Sequence, residues 1–311
     1  MMKQVQRADR MANVRSDIRG AIYDESMRMK AQGIDVLRLN TGNPGTFDFP
    51  MPDSVRQALL KSMEKAVPYT DSKGDPGVRQ AIADYHNKVK GFPTVSPEND
   101  IYVGNGVSEL AQMAMLALLN PGDEILVPMP NYPVWSNAAY IAGAQPVHYM
   151  CDEQAGWMPD VASIRANVTS RTKAILIINP NNPTGVLYSK EVLLDVLQVA
   201  RENNLVVFAD EIYDRIVMDE LTHHSCGALA PDLFVVTTNG LSKSHIICGF
   251  RSGWMVFSGP TELGKDFITG IHQQASMRLC PNTLAQFVIP AALTDDESTQ
   301  AMVRPGGRLY E

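Results

Sequence analysis

Lys243 and Arg251 stand eight positions apart in the run Thr237-Thr-Asn-Gly-Leu-Ser-Lys-Ser-His-Ile-Ile-Cys-Gly-Phe-Arg-Ser-Gly-Trp254, with Gly249 and Gly253 on either side of the arginine. Lysine condenses with carbonyl groups, and burial lowers its pKa far enough to make it a nucleophile or a base. A planar guanidinium grips a phosphate through two parallel hydrogen bonds. Together they describe a site for an aldehyde that carries a phosphate, pyridoxal 5′-phosphate. The competing reading is a solvated loop lysine beside an unrelated surface arginine.

Three further segments bear on that choice. Leu205-Val-Val-Phe-Ala-Asp-Glu-Ile-Tyr-Asp214 is an apolar run that ends in Asp210. Opposite a pyridine nitrogen, such a carboxylate keeps the nitrogen protonated and the ring an electron sink. Tyr213 can donate its phenol proton to the ring's 3′-oxygen. Asp210-Glu211 also reads as a helix cap pair or as the metal-binding end of a nucleotide-hydrolase strand. The latter needs a G-x-x-x-x-G-K-[ST] loop, which the sequence lacks. In Ala174-Ile-Leu-Ile-Ile-Asn-Pro-Asn-Asn-Pro-Thr-Gly185 an apolar strand empties into a stiff Asn/Pro/Gly turn. That turn can present the Asn182 amide at little entropic cost, or it is only a structural turn. In Asp100-Ile-Tyr-Val-Gly-Asn-Gly-Val-Ser-Glu-Leu110 a short strand meets a glycine turn and then a helix, whose N–H groups and dipole suit a phosphate. A dinucleotide fingerprint would need glycine where Glu109 stands.

The elements that must position these residues follow from the apolar pattern. Runs at 101–104, 124–129, 145–150, 174–179, 205–210, 233–238 and 252–258 read as strands. Helical patterns lie between them, notably Ser108–Leu119 and Ser189–Asn203, the second capped by Ser189. Strands alternating with helices give a largely parallel, doubly wound α/β sheet. Gly106, Asn182, Asp210 and Lys243 then all fall at or just beyond the carboxyl ends of strands, where open α/β sheets bind ligands.

Composition narrows the class. With 45% hydrophobic and 20% charged residues over 311 positions, the chain has room for a large core. A net charge of −7 argues against nucleic acid and anionic membrane as partners. No stretch has the pattern of a signal peptide or of a membrane-spanning helix, so a cytoplasmic location is expected. Cys151, Cys226, Cys248 and Cys280 are scattered, with no C-x-x-C pair, and read as reduced thiols. Cys248, five residues past Lys243, reads as a buried apolar thiol. His223-His224 reads as a solvated polar loop, so no metal is expected.

Asn181-Asn-Pro-Thr-Gly185, Ala209-Asp-Glu-Ile-Tyr213 and Ser242-Lys243 with Gly249-Phe-Arg-Ser-Gly253 resemble the motifs of the class I/II aminotransferases, pyridoxal-phosphate enzymes of fold type I. Leu39-Asn-Thr-Gly-Asn-Pro44, Asp71-Ser-Lys-Gly74, Met277-Arg-Leu-Cys280 and Pro305-Gly-Gly-Arg-Leu-Tyr-Glu311 resemble most the bacterial alanine (glutamate–pyruvate) branch. The resemblance covers nearly the whole chain, and the order and spacing of the motifs make it specific. It implies a seven-stranded, mostly parallel sheet with one antiparallel strand and helices on both faces. Residues 1–47 would form an N-terminal arm and part of a small domain, and 48–311 the large cofactor-binding domain.

The same resemblance implies roles. Lys243 links covalently to the cofactor and moves the proton. Asp210 pairs with the pyridine nitrogen, Asn182 and Tyr213 hold the 3′-oxygen, and Tyr132 in Pro130-Asn-Tyr-Pro-Val-Trp135 stacks on the ring. Gly106, Val107, Ser108, Ser242 and Arg251 surround the phosphate. Tyr69 reaches the phosphate of a neighbouring subunit, which implies a homodimer. Gly42 and Asn182 lie against the substrate. Many relatives carry serine or threonine three residues before the lysine, where this chain has Gly240, and Ser242 is then the hydroxyl at hand. The family usually continues into a C-terminal small domain bearing the arginine that pairs with the substrate's α-carboxylate. No residue here matches it, and Arg308 is not promoted to that role. The implied reaction is L-alanine plus 2-oxoglutarate to pyruvate plus L-glutamate. The alternatives are another neutral or aromatic amino acid, or a cofactor-binding remnant with little activity. An effector-sensing transcription regulator would need a DNA-binding helix-turn-helix before Ala21, and that short polar segment has no room for one.

Overall fold

The computed structural model describes residues 4–15, 20–37 and 42–311. Its centre is one mixed sheet of strands β1 (Ile101–Asn105), β2 (Glu124–Met129), β3 (Gln145–Asp152), β4 (Met158–Pro159), β5 (Thr172–Ile178), β6 (Val206–Asp210), β7 (Val235–Gly240) and β8 (Ser252–Ser258). The spatial order is β1-β8-β7-β6-β5-β2-β3-β4. Pairings β7·β6, β6·β5, β5·β2 and β2·β3 are parallel, and β8 runs antiparallel to both β7 and β1. The seven expected strands are all present. The eighth, β4, is a two-residue antiparallel addition to β3, too short to leave an apolar run.

The strands read as continuous apolar runs because both faces are covered. In β5, Ile175 and Ile177 enter one core, where they meet Leu193, Val196 and Leu197 of helix Lys190–Glu202. Leu176 and Ile178, pointing the other way, enter a second core with residues of helices Val107–Leu118, Val134–Ala142 and Lys265–Met277. A third core, under β1 and β8, joins Ile101 and Trp254 to Val78, Ile82 and Ile289. The helices that matter for the site are called α1 (Val107–Leu118), α2 (Val134–Ala142), α3 (Lys190–Glu202), α4 (Lys265–Met277) and α5 (Ile289–Thr294). The expected cap of α3 is present: the Ser189 hydroxyl accepts from the Val192 N–H at 3.2 Å, a contact worth about 1 kcal/mol. Helix α1 starts one residue earlier than its apolar pattern suggests, directly after Gly106.

None of the described residues before Phe47 is buried. Arg15 nevertheless exchanges two hydrogen bonds with the Asn137 side chain of α2, at 3.0 and 2.7 Å. Arg308 fastens the following segment. Its guanidinium donates to the Asp48 and Phe47 carbonyls at 2.8 and 2.9 Å and lies over the Phe49 ring. No helix among the described residues is long and apolar enough to cross a membrane.

Candidate active site

The carboxyl ends of β5, β6 and β7 point the same way as that of β1, and a cavity opens there. It encloses ≈ 600 Å³ including its open mouth, and its lining includes Val107, Ser108, Tyr132, Asn182, Asp210, Tyr213, Ser242, Lys243 and Arg251. Residues spread over the chain from 107 to 251 thus meet because four strand ends meet.

One part of the cavity sets a helix start beside a guanidinium, a pair that suits an anion. Gly106 precedes α1 at φ 81° with no side-chain cap on the helix, so the first turn keeps its N–H groups and positive dipole end. Glycine is needed for more than its backbone angle. A Cβ on Gly106 would lie 2.4 Å from Nη2 of Arg251 and 2.9 Å from its Cζ, so the guanidinium fills the space that a side chain would take. Arg251 itself has a left-handed backbone (φ 58°) and donates from Nη1 to the Cys248 carbonyl at 2.8 Å. Ser108 and Ser242 add hydroxyls to the same lining. Gly240 has a structural reason: a Cβ there would sit 2.6 Å from the Ser252 carbonyl oxygen and 3.0 Å from Gly253 Cα. The tight β7·β8 pairing leaves no room for a hydroxyl side chain at that position.

A second part surrounds Asp210, the last residue of β6. It is held in register between Ile178 of β5 and Thr238 of β7, and its carbonyl accepts from the Asn179 N–H at 3.0 Å. Its carboxylate is buried, which pushes its pKa up to about 6. Donation from Trp135 and from the Ile212 N–H, and the nearby Lys243 charge, act the other way. Tyr213 is also pushed up, to about 12, first by burial and then by Asp210 and Tyr132, so its phenol stays a proton donor. Of the three asparagines in the Asn/Pro turn, Asn182 is the one in the cavity lining. Asn179 Oδ1 accepts from the Tyr188 N–H, and Asn181 is tied to Tyr188 and Thr184. The Asn182 Nδ2 donates toward the Tyr213 oxygen at 3.5 Å.

Lys243 lies three residues past the end of β7, with Nζ 5.7 Å from the centre of the Tyr213 ring. Its pKa is lowered, by burial first and by Arg251 as well, against opposing effects of Cys248 and Asp210. A less basic amine among carboxylate, phenol and amide groups is poised both to attack a carbonyl and to carry a proton.

Two expected residues lie apart from the cavity. Tyr69 is 78% exposed and does not line it. Gly42 is exposed with open space where a Cβ would be. Its neighbour Asn43 comes close, its Oδ1 accepting from Cys248 Sγ at 3.5 Å. The motif residues Leu39, Asn40 and Thr41 lie outside the described residues.

Three sequence readings need correction. Cys248 is not a buried apolar thiol; it is half-buried and lines the cavity. His223 is not solvated. Its Nε2 lies 3.1 Å from the Asn179 carbonyl, its Nδ1 lies 3.5 Å from Lys90 Nζ, and burial with Lys90 pushes its pKa down to about 4. It belongs to a buried polar network that the sequence did not reveal. In it Lys90 pairs with Asp214 at 2.6 Å and the Tyr85 hydroxyl donates to the same carboxylate at 2.8 Å. Glu211 is no helix cap either: it is buried, accepting from the Ser225 hydroxyl and the Cys226 N–H. Trp135 was missed altogether, because an indole on an amphipathic helix looks like core.

A lysine of lowered basicity, a buried carboxylate at a strand end and an arginine beside a helix N-terminus form the donor set expected of the resemblance. Known proteins bear out the family. The family model described as aminotransferase class I and II matches residues 34–305. The chain belongs to the class I and II aminotransferases. It is 49% identical over 310 residues to the glutamate-pyruvate aminotransferase AlaA of Haemophilus influenzae, covering 100% of this chain and 76% of that one. It is 44% identical over 302 residues to the alanine aminotransferase of Mycobacterium tuberculosis, covering 97% and 70%. Among solved structures, an aminotransferase from Escherichia coli superposes with a TM-score of 0.96 at 48% identity, over 99% of this chain and 76% of that one. An alanine aminotransferase from Pyrococcus furiosus gives 0.90 at 39% identity, over 95% and 75%. Within this aminotransferase fold, the cavity at the strand ends is lined by residues that combine all three features.

Proposed function

We propose that this chain is a pyridoxal-5′-phosphate-dependent aminotransferase that converts L-alanine and 2-oxoglutarate to pyruvate and L-glutamate. The observation that carries the reading is that Lys243, Asp210 and Arg251 line one cavity. When bound, the cofactor supplies an electron sink that makes the substrate's Cα–H bond acidic. Arg251 with the Val107 and Ser108 backbone, and the Ser108 and Ser242 hydroxyls, would hold its phosphate against the α1 N-terminus. The space Gly106 leaves for the guanidinium is the fit that supports this. Asp210 would keep the ring nitrogen protonated. Tyr213 and Asn182 would donate to the 3′-oxygen, and Tyr132 would cover one face of the ring. Lys243 Nζ would bind the aldehyde carbon and then carry the proton from Cα. Gly42 and Asn182 would border the substrate.

Support for alanine and 2-oxoglutarate comes from the names of the relatives at 44–49% identity. We further infer a homodimer in which the exposed Tyr69 completes the partner's phosphate site, with residues 48–311 forming the large domain and residues before 48 the arm and part of the small domain. The test is direct. Purified protein with pyridoxal 5′-phosphate is reduced with borohydride and digested, and the modified peptide should carry Lys243. Modification at another lysine, or equal labelling of Lys243→Ala, would overturn the assignment. Amino transfer to 2-oxoglutarate should be faster from L-alanine than from aromatic donors, and the reverse order would overturn the substrate.

A further inference from the structure

Trp135 lies in the first turn of α2, three residues past Tyr132, and is fully buried. Its Nε1–H donates to Oδ2 of Asp210 at 2.8 Å, while the Ile212 N–H donates to Oδ1 at 3.3 Å. The indole packs on Phe208, two residues before Asp210 in β6, with ring centres 5.7 Å apart. The ring contact and the hydrogen bond therefore bind one helix start to one strand end, and that helix start carries the aromatic expected to cover the cofactor ring.

We propose that Trp135 is a positioning residue for the reaction: its indole N–H keeps Asp210 an oriented carboxylate and fixes the spacing between Asp210 and Tyr132. The inference rests on the cofactor reading above. An indole nitrogen donates and cannot accept. The bond is satisfied only by a lone pair on Oδ2, so it opposes a proton on that oxygen. This matters because burial acts in the other direction on Asp210, and a neutral acid there would not hold a proton on a ring nitrogen. With Oδ2 held by Trp135 and Oδ1 approached by the Ile212 N–H, the carboxylate's direction is set from both oxygens. The other charged or titratable groups near Asp210 are Lys243, which favours the carboxylate, and Tyr213, which stays protonated. Phenylalanine at position 135 would preserve much of the ring packing and remove the donor to Oδ2.

The experiment measures the dissociation constant of pyridoxal 5′-phosphate and kcat for L-alanine from pH 5 to 9. The proteins are wild type, Trp135→Phe and Phe208→Leu. Loss of a hydrogen bond to a charged group should raise the pH at which the acid limb falls by about one unit. At pH 6 the cofactor should bind about tenfold more weakly in Trp135→Phe, with much less difference at pH 9. The kcat should fall more than the KM for alanine changes. Phe208→Leu, which loosens packing and keeps the donor, should lower the melting temperature and leave the acid limb in place. If Trp135→Phe and wild type share one pH curve, or if Phe208→Leu moves the limb equally, the role is only structural and the proposal fails. A measurement on wild type stands if the variant does not fold. The 15N-indole resonance of Trp135 should titrate with Asp210 in cofactor-free protein, and should cease to titrate there once cofactor is bound. A resonance indifferent to both would sink the inference while leaving the cofactor reading intact. Wild type that takes up no cofactor would overturn both.

Discussion

Replacing Gly106 with alanine tests the proposed phosphate site at its tightest contact. The new Cβ would meet Arg251 at 2.4 Å from Nη2, 2.9 Å from Cζ and 3.3 Å from Nη1. Ordinary van der Waals separations are about 3.5–4.0 Å, so the guanidinium must retreat by about 1 Å. It is the tip of a flexible side chain and gives way before the backbone does. A hydrogen bond of about 2.8 Å to phosphate does not survive such a shift. Losing it costs about 1.5–3 kcal/mol, roughly a ten- to hundredfold rise in the cofactor's dissociation constant. Separately, alanine at φ 81°, ψ 164° carries about 1–3 kcal/mol of backbone strain, which should lower the melting temperature even without cofactor. The assay is a spectroscopic titration with pyridoxal 5′-phosphate on Gly106→Ala, Arg251→Ala and the double variant. Because the alanine acts on affinity through Arg251, the double variant should bind no more weakly than Arg251→Ala. Fully additive losses would refute the reasoning, as would Gly106→Ala binding like wild type.

The buried Lys90–Asp214 pair, with side chains 11% and 1% exposed, should make Lys90→Met destabilising by about 3–5 kcal/mol in a denaturant titration. Burial raises the Asp214 pKa, but Lys90 above all, with His223 and Tyr85, holds it below the ordinary carboxylate value, so its contribution to stability is present at neutral pH and lost in acid. Glu211 behaves oppositely: burial raises its pKa to about 7, so its contribution is present below the unfolded carboxylate value and lost as pH rises through about 7. Glu211→Gln should therefore narrow the stability difference between pH 6 and pH 8.5, and an unchanged difference would remove Glu211 as its source. Mixing Tyr69→Phe with Lys243→Ala subunits should restore cofactor binding and turnover in one site per mixed dimer, and no recovery would count against a shared site.

What the sequence made legible has a physical pattern. The strands were legible because a sheet covered on both faces writes unbroken apolar runs, and β4 was missed because two residues write nothing. That Lys243, Asp210 and Asn182 share one cavity was legible because each ends or closely follows such a run with a residue type the core does not want. Trp135 was not, since its indole satisfies the apolar pattern of α2 while its one polar atom does the work at Asp210. The Lys90, Tyr85, Asp214 and His223 network was hidden for a different reason. Its members come from a helix end and two loops distant in sequence, and only the fold brings opposite charges together there. Cys248 was misread because distance from Lys243 along the chain says nothing about which side of a turn faces the cavity.

The two loops that carry Tyr213 and Lys243, the groups proposed to act on the cofactor, share an anchor outside the cavity. Tyr213 precedes Arg215 by two residues, and Lys243 precedes His245 by two. Arg215 donates from Nη1 to the Ala292 carbonyl of α5 at 3.1 Å and from Nη2 to that of Leu293 at 2.9 Å. His245 Nε2 reaches the same Ala292 carbonyl at 2.8 Å. A carbonyl only accepts, so Nε2 carries the proton and Nδ1 accepts from the Ser244 hydroxyl at 2.8 Å. Burial and the neighbouring Arg215 push the imidazole down to about 4, so it is neutral across the physiological range and this arrangement does not switch with pH. The phenol and the amine are therefore held relative to each other through one backbone oxygen of α5, as well as through the sheet. A site whose chemistry depends on where a lysine stands relative to a ring plane gains from a reference that neither loop can shift alone.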